Sequence, residues 1–230
     1  MKLSVVIPIY NEQATLEEIL ERVLATSFEK EILLVDDGSG DESRKIMARY
    51  EDAHPGIVRC FYHRQNKGKG AALATAFQEV QGDLVLVQDA DLEYNPEDYG
   101  ILIAPIVEGR ADVVFGSRFL GQTQRVHFRL HTMANKFLTA WSNFFTGYSL
   151  TDMETCYKVI PAHIARALKL SSPRFTIEPE MTAAFSRQGL RIVEVPIQYN
   201  NRGYEEGKKV GWKDGFQALW AIVRFRFVRD

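Results

Sequence analysis

Two carboxylates separated by one residue, and a third two residues further on, occupy the segment Asp89-Ala90-Asp91-Leu92-Glu93. Like charges held this close repel, and a divalent cation relieves the repulsion. All-oxygen ligands suit Mg2+ or Mn2+, ions that bridge carboxylates to substrate phosphates. An ion so placed stabilises charge building on a departing diphosphate. The bland alternative for an isolated Asp-x-Asp is a solvated acidic loop. Here two other polar clusters accompany it, Tyr10-Asn11-Glu12 and Asp36-Asp37-Gly38-Ser39. Each follows a short apolar run, as the acidic segment follows Leu84-Val85-Leu86-Val87.

The elements that must position these clusters alternate along the first half. Residues 5–9, 31–36, 57–62, 84–87 and 112–115 read as buried strands, rich in β-branched and apolar residues. Between them lie helical patterns. Leu16, Ile19, Leu20, Val23 and Leu24 recur at helical spacing after Asn11, a plausible cap. Residues 41–50 and 70–80 continue the series, and Asn95-Pro96 starts a helix burying Leu102, Ile103, Ile106 and Val107. Repeated βα units imply an α/β fold, a mostly parallel central sheet flanked by helices. Ligands bind such sheets beyond the carboxyl ends of the strands, where all three polar clusters fall.

The second half is organised differently. Residues 127–150 are helical and aromatic-rich, 155–160 return as a strand, 178–188 form a helix, and 190–198 a strand closed by Pro196. A loop rich in Gly and charge, 200–211, precedes a last amphipathic helix. The division expected is one domain over 1–200, with a basic loop and amphipathic helix over 201–230.

Composition narrows the function classes. With 28 basic against 30 acidic residues the net charge is −2, so no global basic field points to nucleic acid. The two cysteines, Cys60 and Cys156, lack metal-ligand spacing and read as small core residues in a reducing compartment. The start, Met1-Lys2 running into Leu3-Ser4-Val5-Val6-Ile7, is too short for a signal-peptide core. No stretch reaches the roughly 18 apolar residues needed to span a bilayer. A cytoplasmic protein, peripheral on the cytoplasmic membrane face, is the expectation.

Four motifs taken together, Val5-Val6-Ile7-Pro8-Ile9-Tyr10-Asn11-Glu12, Val35-Asp36-Asp37-Gly38-Ser39, Asn66-Lys67-Gly68-Lys69-Gly70-Ala71 and Asp89-Ala90-Asp91, resemble glycosyltransferase family 2 with the GT-A fold. Any one is weak alone; all four in order and spacing are specific. Gly116-Ser117-Arg118, Leu150-Thr151-Asp152-Met153-Glu154-Thr155-Cys156-Tyr157-Lys158 and Glu194-Val195-Pro196-Ile197 resemble the branch containing dolichol-phosphate mannose synthases and other polyprenyl-phosphate glycosyltransferases. Nearly the whole chain is covered.

The resemblance implies an inverting, metal-dependent transfer of one sugar from a nucleotide-sugar donor, GDP-mannose or a UDP-sugar, to a dolichyl or undecaprenyl phosphate. It places Pro8, Tyr10, Asn11 and Glu12 along the nucleotide pocket, Asp37 on the base and Lys69 near base or ribose. Asp89, with Ala90 beside it, would approach ribose, sugar or metal, while Asp91 and Glu93 ligate Mg2+ or Mn2+. The third position is often Gln in the mannose synthases, so Glu93 adds a charge that favours tighter metal binding. Arg118 suits bidentate contact with a donor or acceptor phosphate. Arg202, Lys208 and Lys209, among Gly203, Gly207 and Gly211, form a loop able to close over a diphosphate.

The acceptor stays open at this level. A sugar hydroxyl needs a general base, for which Asp152 and Glu154 are the candidates. A lipid phosphate is already anionic near neutral pH and needs cations instead, which Arg118, Arg125, Arg129 and Arg202 could supply. Asp152 would then bind donor hydroxyls or orient a basic residue. A sugar-phosphate nucleotidyltransferase would carry a Gly-rich loop directly after the first strand, where this chain has Pro8-Ile9-Tyr10-Asn11-Glu12. A non-catalytic binding module is disfavoured by the intact acidic segment.

Membrane contact is suggested by the last helix, with Phe216, Leu219, Trp220, Val223 and Phe227 on one side and Lys213, Arg224, Arg226 and Arg229 on the other. From Arg202 onward, seven Lys/Arg face four Asp/Glu, a local charge of +3. Phe137, Trp141, Phe144 and Phe145 make a second aromatic stripe. Either stripe could equally cover the sheet or meet a second subunit in a homo-oligomer.

Overall fold

The computed structural model describes residues 1–121, 129–172, 176–200 and 212–227. In chain order the first elements are β1 (Leu3–Ile9), α1 (Leu16–Ala25), β2 (Lys30–Asp36), α2 (Ser43–Ala53), β3 (Val58–Tyr62), α3 (Lys69–Glu79) and β4 (Leu84–Val87). They are followed by α4 (Tyr99–Val107), β5 (Val113–Ser117), α5 (Arg129–Thr146), β6 (Lys158–Pro161), α6 (Ala162–Ala167), α7 (Ile177–Arg187), β7 (Ile192–Pro196) and α8 (Trp212–Phe227). The chain gathers into two compact units, Met1–Leu92 with Tyr157–Arg174, and Glu93–Cys156 with Phe175–Asp230.

In the first unit the strands run in the order β3-β2-β1-β4-β6. β1 pairs in parallel with β2 and β4, and β2 with β3, while β6 joins β4 antiparallel. Leu3 to Ile7 of β1 have no exposed surface, and all but Ser4 are apolar, as in a strand buried on both faces. Pro8 fits this central strand because the ladder to β4 ends at Val6↔Val87, before the proline that has no N–H to donate. Leu16, Ile19, Leu20 and Val23 form the buried stripe of α1.

The amino end of this sheet is closed by a polar staple. Ser4 Oγ donates to Glu31 Oε1 at 2.6 Å, and the Gly82 N–H donates to the same oxygen at 3.1 Å. Gly82 is required there, since a Cβ would stand 2.6 Å from the Lys2 carbonyl oxygen and 2.7 Å from Ser4 Oγ. Cys60 is half-buried and burial pushes its thiol up to about 12, in keeping with a core residue.

In the second unit β5 and β7 pair in parallel, with Phe115 opposite Glu194 and Ser117 opposite Pro196. Asn95 caps the turn Pro96–Asp98 by accepting the Glu97 N–H at 3.2 Å, as Asn-Pro predicts. Helix α8 buries a set of residues that the sequence reading did not single out. Its buried residues are Ala218, Ala221, Ile222 and Phe225, whereas Trp220 and Phe227 are 66% and 71% exposed. Two other expectations shift: α1 begins at Leu16 rather than beside Asn11, and α6 was not foreseen. Among the described residues no helix is long and apolar enough to cross a membrane.

Candidate functional site

Four strand ends of the first unit are tied to one another. Asn11 adopts a left-handed backbone (φ 55°), so it does not cap α1. Its Oδ1 instead accepts the Gly40 N–H at 2.8 Å, while its own N–H donates to Ser39 Oγ at 3.0 Å. The Glu12 N–H reaches Ser43 Oγ and the Gln13 N–H reaches Asp41 Oδ2, both at 3.0 Å. The loops after β1 and β2 are thus zipped together by side-chain caps. Tyr10 stays 38% exposed beside them.

Asp36 and Asp37 divide the work of shaping the turn after β2. Asp36, fully buried, accepts the Gly38 and Ser39 N–H groups and the Arg44 Nε–H, the last at 2.7 Å. Asp37, 2% exposed, receives the N–H groups of Lys67 (2.9 Å) and Gly68 (2.6 Å), and His63 Nδ1 lies 2.7 Å from its Oδ1. The Asp37 carboxylate, expected on the base, therefore holds the 66–70 turn. Gly38 is indispensable to that approach. Its φ is +77°, and a Cβ would stand 2.6 Å from Asn66 N.

The acidic segment is anchored to both neighbouring loops. Lys69 Nζ lies 2.8 Å from Asp89 Oδ1, and Thr15 Oγ1 donates to the Ala90 carbonyl at 3.0 Å. Gln88, without exposed surface, donates from Nε2 to the Asp89 carbonyl at 3.1 Å and accepts the Tyr157 hydroxyl at 2.7 Å. Asp89 and Asp91 remain partly exposed, while Ala90 is buried. The first unit thus gathers the expected residues Pro8 to Glu12, Asp37, Lys69 and Asp89 to Asp91 on strand ends, as parallel α/β topology requires.

Glu93 belongs to the second unit, where its Oε2 accepts the Tyr199 hydroxyl at 2.7 Å. Among the described residues no three His, Cys, Asp or Glu side chains form a group that could hold a metal ion. The donor set still fits a hard cation. Asp89 and Asp91 offer carboxylate oxygens only, and Mg2+ is commonly held by one or two carboxylates completed by substrate phosphates and water.

The second unit assembles a different site. Arg118 follows β5 directly, and Asp152 accepts its backbone N–H (3.0 Å) and Nε–H (2.7 Å) on Oδ2, and its Nη2–H (2.7 Å) on Oδ1. The side chains are 11% and 0% exposed. Burial by itself lowers the Arg118 pKa. The Asp152 charge, with Tyr94, the Asp152 hydrogen bonds and Tyr199, outweighs it and raises the value well above the arginine norm. The guanidinium carbon stands 5.2 Å from the Tyr199 ring centroid, and Tyr199 meets Tyr94 edge-on at 5.2 Å. A buried, permanently charged and rigidly held guanidinium is suited to an oxyanion.

Asp152, expected as a base or an orienting acid, has both oxygens engaged by Arg118 and no exposed surface. Arg125, Arg202, Lys208 and Lys209 lie outside the described residues, as do the side chains of Arg129, Lys213 and Phe216. His63, Gln88 and Tyr199 escaped the sequence reading, and Glu194 entered it only as part of a motif, without a role. For His63 a signal existed: it follows β3 directly, at the same strand-end position as the other clusters.

The model of the family described as "Glycosyl transferase family 2" matches residues 4–168, and the chain belongs to that family. Among curated relatives, the undecaprenyl-phosphate 4-deoxy-4-formamido-L-arabinose transferase of Proteus mirabilis is 34% identical over 214 residues, covering 90% of this chain and 62% of the relative. The Klebsiella pneumoniae protein of that description is 33% identical over 211 residues, again covering 90% and 62%. The chain thus spans less than two thirds of these relatives. The Mycobacterium tuberculosis glucosyl-3-phosphoglycerate synthase, crystallised with Mn2+, UDP and glucosyl-3-phosphoglycerate, superposes with a TM-score of 0.71 at 20% identity. That likeness covers 100% of this chain and 81% of the other, and it shows the fold.

Proposed function

We propose that this chain is a glycosyltransferase that moves one sugar from a nucleotide-sugar donor to a polyprenyl phosphate, with inversion at the anomeric carbon. The observation that carries the choice of acceptor is the Arg118–Asp152 pair. A hydroxyl acceptor needs a carboxylate free to take its proton; of the two candidates, Asp152 and Glu154, the first has both oxygens already accepting from Arg118. A phosphate acceptor needs no base and is served by the guanidinium. The relatives named for undecaprenyl-phosphate substrates support the same choice.

In this reaction an acceptor phosphate oxygen attacks the anomeric carbon as the bond to the nucleoside diphosphate breaks, and the diphosphate leaves with the bonding electrons. Pro8, Tyr10, Asn11 and Glu12 line the nucleotide pocket, and Asp37 shapes it through the 66–70 turn. Lys69 and Asp89 act at the ribose and diphosphate. Asp89 and Asp91 would hold Mg2+ or Mn2+, with Glu93 as a third candidate ligand; the bound ion would neutralise charge on the leaving diphosphate. Arg118 orients the acceptor phosphate, and Arg202 and Lys208 add cationic contacts to the phosphates.

A lipid acceptor also requires a surface that meets a bilayer. On α5, Met133, Phe137 and Phe144 are 67%, 58% and 78% exposed, and Trp220 and Phe227 of α8 are exposed as well. Phe145 and Phe227 touch edge-on at 6.2 Å, so the two helices present one aromatic region, with exposed Lys136 and Arg224 nearby in sequence. We assign this region to peripheral contact with the cytoplasmic leaflet.

The test is incubation with Mn2+, with GDP-mannose, UDP-glucose and UDP-N-acetylhexosamines in turn, and with short polyprenyl phosphates. A lipid-linked monosaccharide is the expected product, and its formation should stop on chelation and resume with added metal. Failure with every donor, while a soluble glycan hydroxyl is glycosylated, would refute the assignment.

A further inference from the structure

Glu194 sits on β7, opposite Phe115 of β5. Its two carboxylate oxygens accept two successive backbone N–H groups: Thr151 to Oε2 at 2.7 Å and Asp152 to Oε1 at 2.9 Å. This grip fixes the position and tilt of the peptide bearing the Asp152 side chain. Asp152 in turn fixes Arg118 through three bonds. Only a carboxylate can do this. A glutamine offers one acceptor oxygen and would turn its amide hydrogens toward the second N–H.

A merely structural tie between β7 and the 151–152 segment would need no such arrangement. That segment already has a second tether, the Ser117 and Thr151 hydroxyls 2.6 Å apart. Glu194 also carries an electrostatic cost: burial raises its pKa most, the Thr151 and Asp152 N–H groups oppose this, and the Asp152 charge adds to the rise.

We propose that Glu194 is a positioning residue for the acceptor phosphate, acting through the Asp152 backbone and carboxylate to hold the Arg118 guanidinium in one orientation. The proposal rests on the reading of Arg118 as the ligand of the acceptor phosphate. Glu194 touches no substrate itself. Its contribution is a fixed direction for the three guanidinium N–H groups that do not face Asp152.

The test combines binding, exchange and a double-mutant cycle. Glu194→Gln should weaken calorimetric affinity for a short prenyl phosphate about tenfold, the scale of one charge-assisted hydrogen bond. Binding of GDP or UDP should be unchanged. In an Arg118→Ala background the same substitution should cost nothing further. In NMR spectra the Arg118 Nε–H, identified by its loss in Arg118→Ala, should exchange slowly in the wild type and faster in Glu194→Gln. Glu194→Asp, which keeps the charge but draws it back one methylene, should fall between the two and serves if the glutamine variant does not fold. Unchanged affinity and exchange in the Glu194 variants, or an equal loss in the Arg118→Ala background, would overturn the proposal. A wild type that binds no prenyl phosphate would remove the acceptor assignment, while the Nε–H exchange would still decide whether Glu194 positions Arg118.

Discussion

Replacing Asp152 by Asn keeps the shape of the side chain, exchanges one oxygen for an amide nitrogen and removes one charge at a position with no exposed surface. The carbonyl oxygen can stay where Oδ2 stood and keep the Arg118 N and Nε donors, which lie at 3.0 and 2.7 Å. The amide nitrogen then faces Arg118 Nη2 across the former 2.7 Å contact, donor against donor. One charge-assisted hydrogen bond is worth about 1.5–3 kcal/mol. Leaving a guanidinium 11% exposed without its counter-ion moves the total toward the ~3–5 kcal/mol typical of broken buried pairs. A loss of about 3 kcal/mol is therefore expected, read as a lowered urea midpoint at unchanged slope. Transfer to a prenyl phosphate should fall together with acceptor affinity, and Arg118→Ala should mask the effect of Asp152→Asn. If Asp152→Asn unfolds at the wild-type midpoint yet abolishes turnover with acceptor binding intact, the carboxylate is a base and the Arg118 account is wrong.

Other outcomes follow from the same geometry. Gly38→Ala places a Cβ 2.6 Å from Asn66 N at a φ of +77°, so at least ~1–2 kcal/mol of backbone strain is joined by displacement of the 66–70 turn; calorimetry should show weaker GDP or UDP binding, and unaltered binding would contradict the role given to that turn. The Glu31 carboxyl is buried, which raises its pKa, but the Ser4 hydroxyl, the Gln81 N–H, the Lys2 charge and the Gly82 N–H together bring it below its ordinary value. A lowered folded-state pKa means stability that is complete above the unfolded carboxyl value of about 4.3 and lost as pH falls through the folded one. The stability gap between wild type and Glu31→Gln, measured by urea unfolding, should therefore be widest near neutrality and close in acid; a gap that widens in acid would reverse the sign. Phe137→Ser with Phe144→Ser alters exposed side chains only, so folding stability should hold within about 0.5 kcal/mol while flotation with anionic vesicles drops; undiminished flotation would remove α5 from the membrane surface.

What the sequence disclosed, and what it withheld, divides along physical lines. The clusters at 10–12, 36–39 and 89–93 were legible because βα repetition delivers every strand's carboxyl end to one edge, while the 66–70 turn was found through the family resemblance. Which partner each acid takes was not legible. Asp37 was read as a ligand for the base, and the N–H groups of Lys67 and Gly68 that it receives left no mark in the sequence pattern. The partner of Asp152 is reached across 34 residues, a contact to which no periodicity corresponds. Helix α8 shows a third limit. Its side chains satisfy helical apolar spacing twice, once through Leu219, Trp220, Val223 and Phe227, and once through Ala218, Ala221, Ile222 and Phe225. Weight by size favours the first set, yet the second is buried, with Ala221 and Phe225 packed against Ala183 of α7. Alanines leave room for close helix approach, which bulky aromatics on that side would prevent. A helix apolar on two sides can bury only one of them against its own fold, and in α8 the side bearing Trp220 and Phe227 is the one that stays exposed.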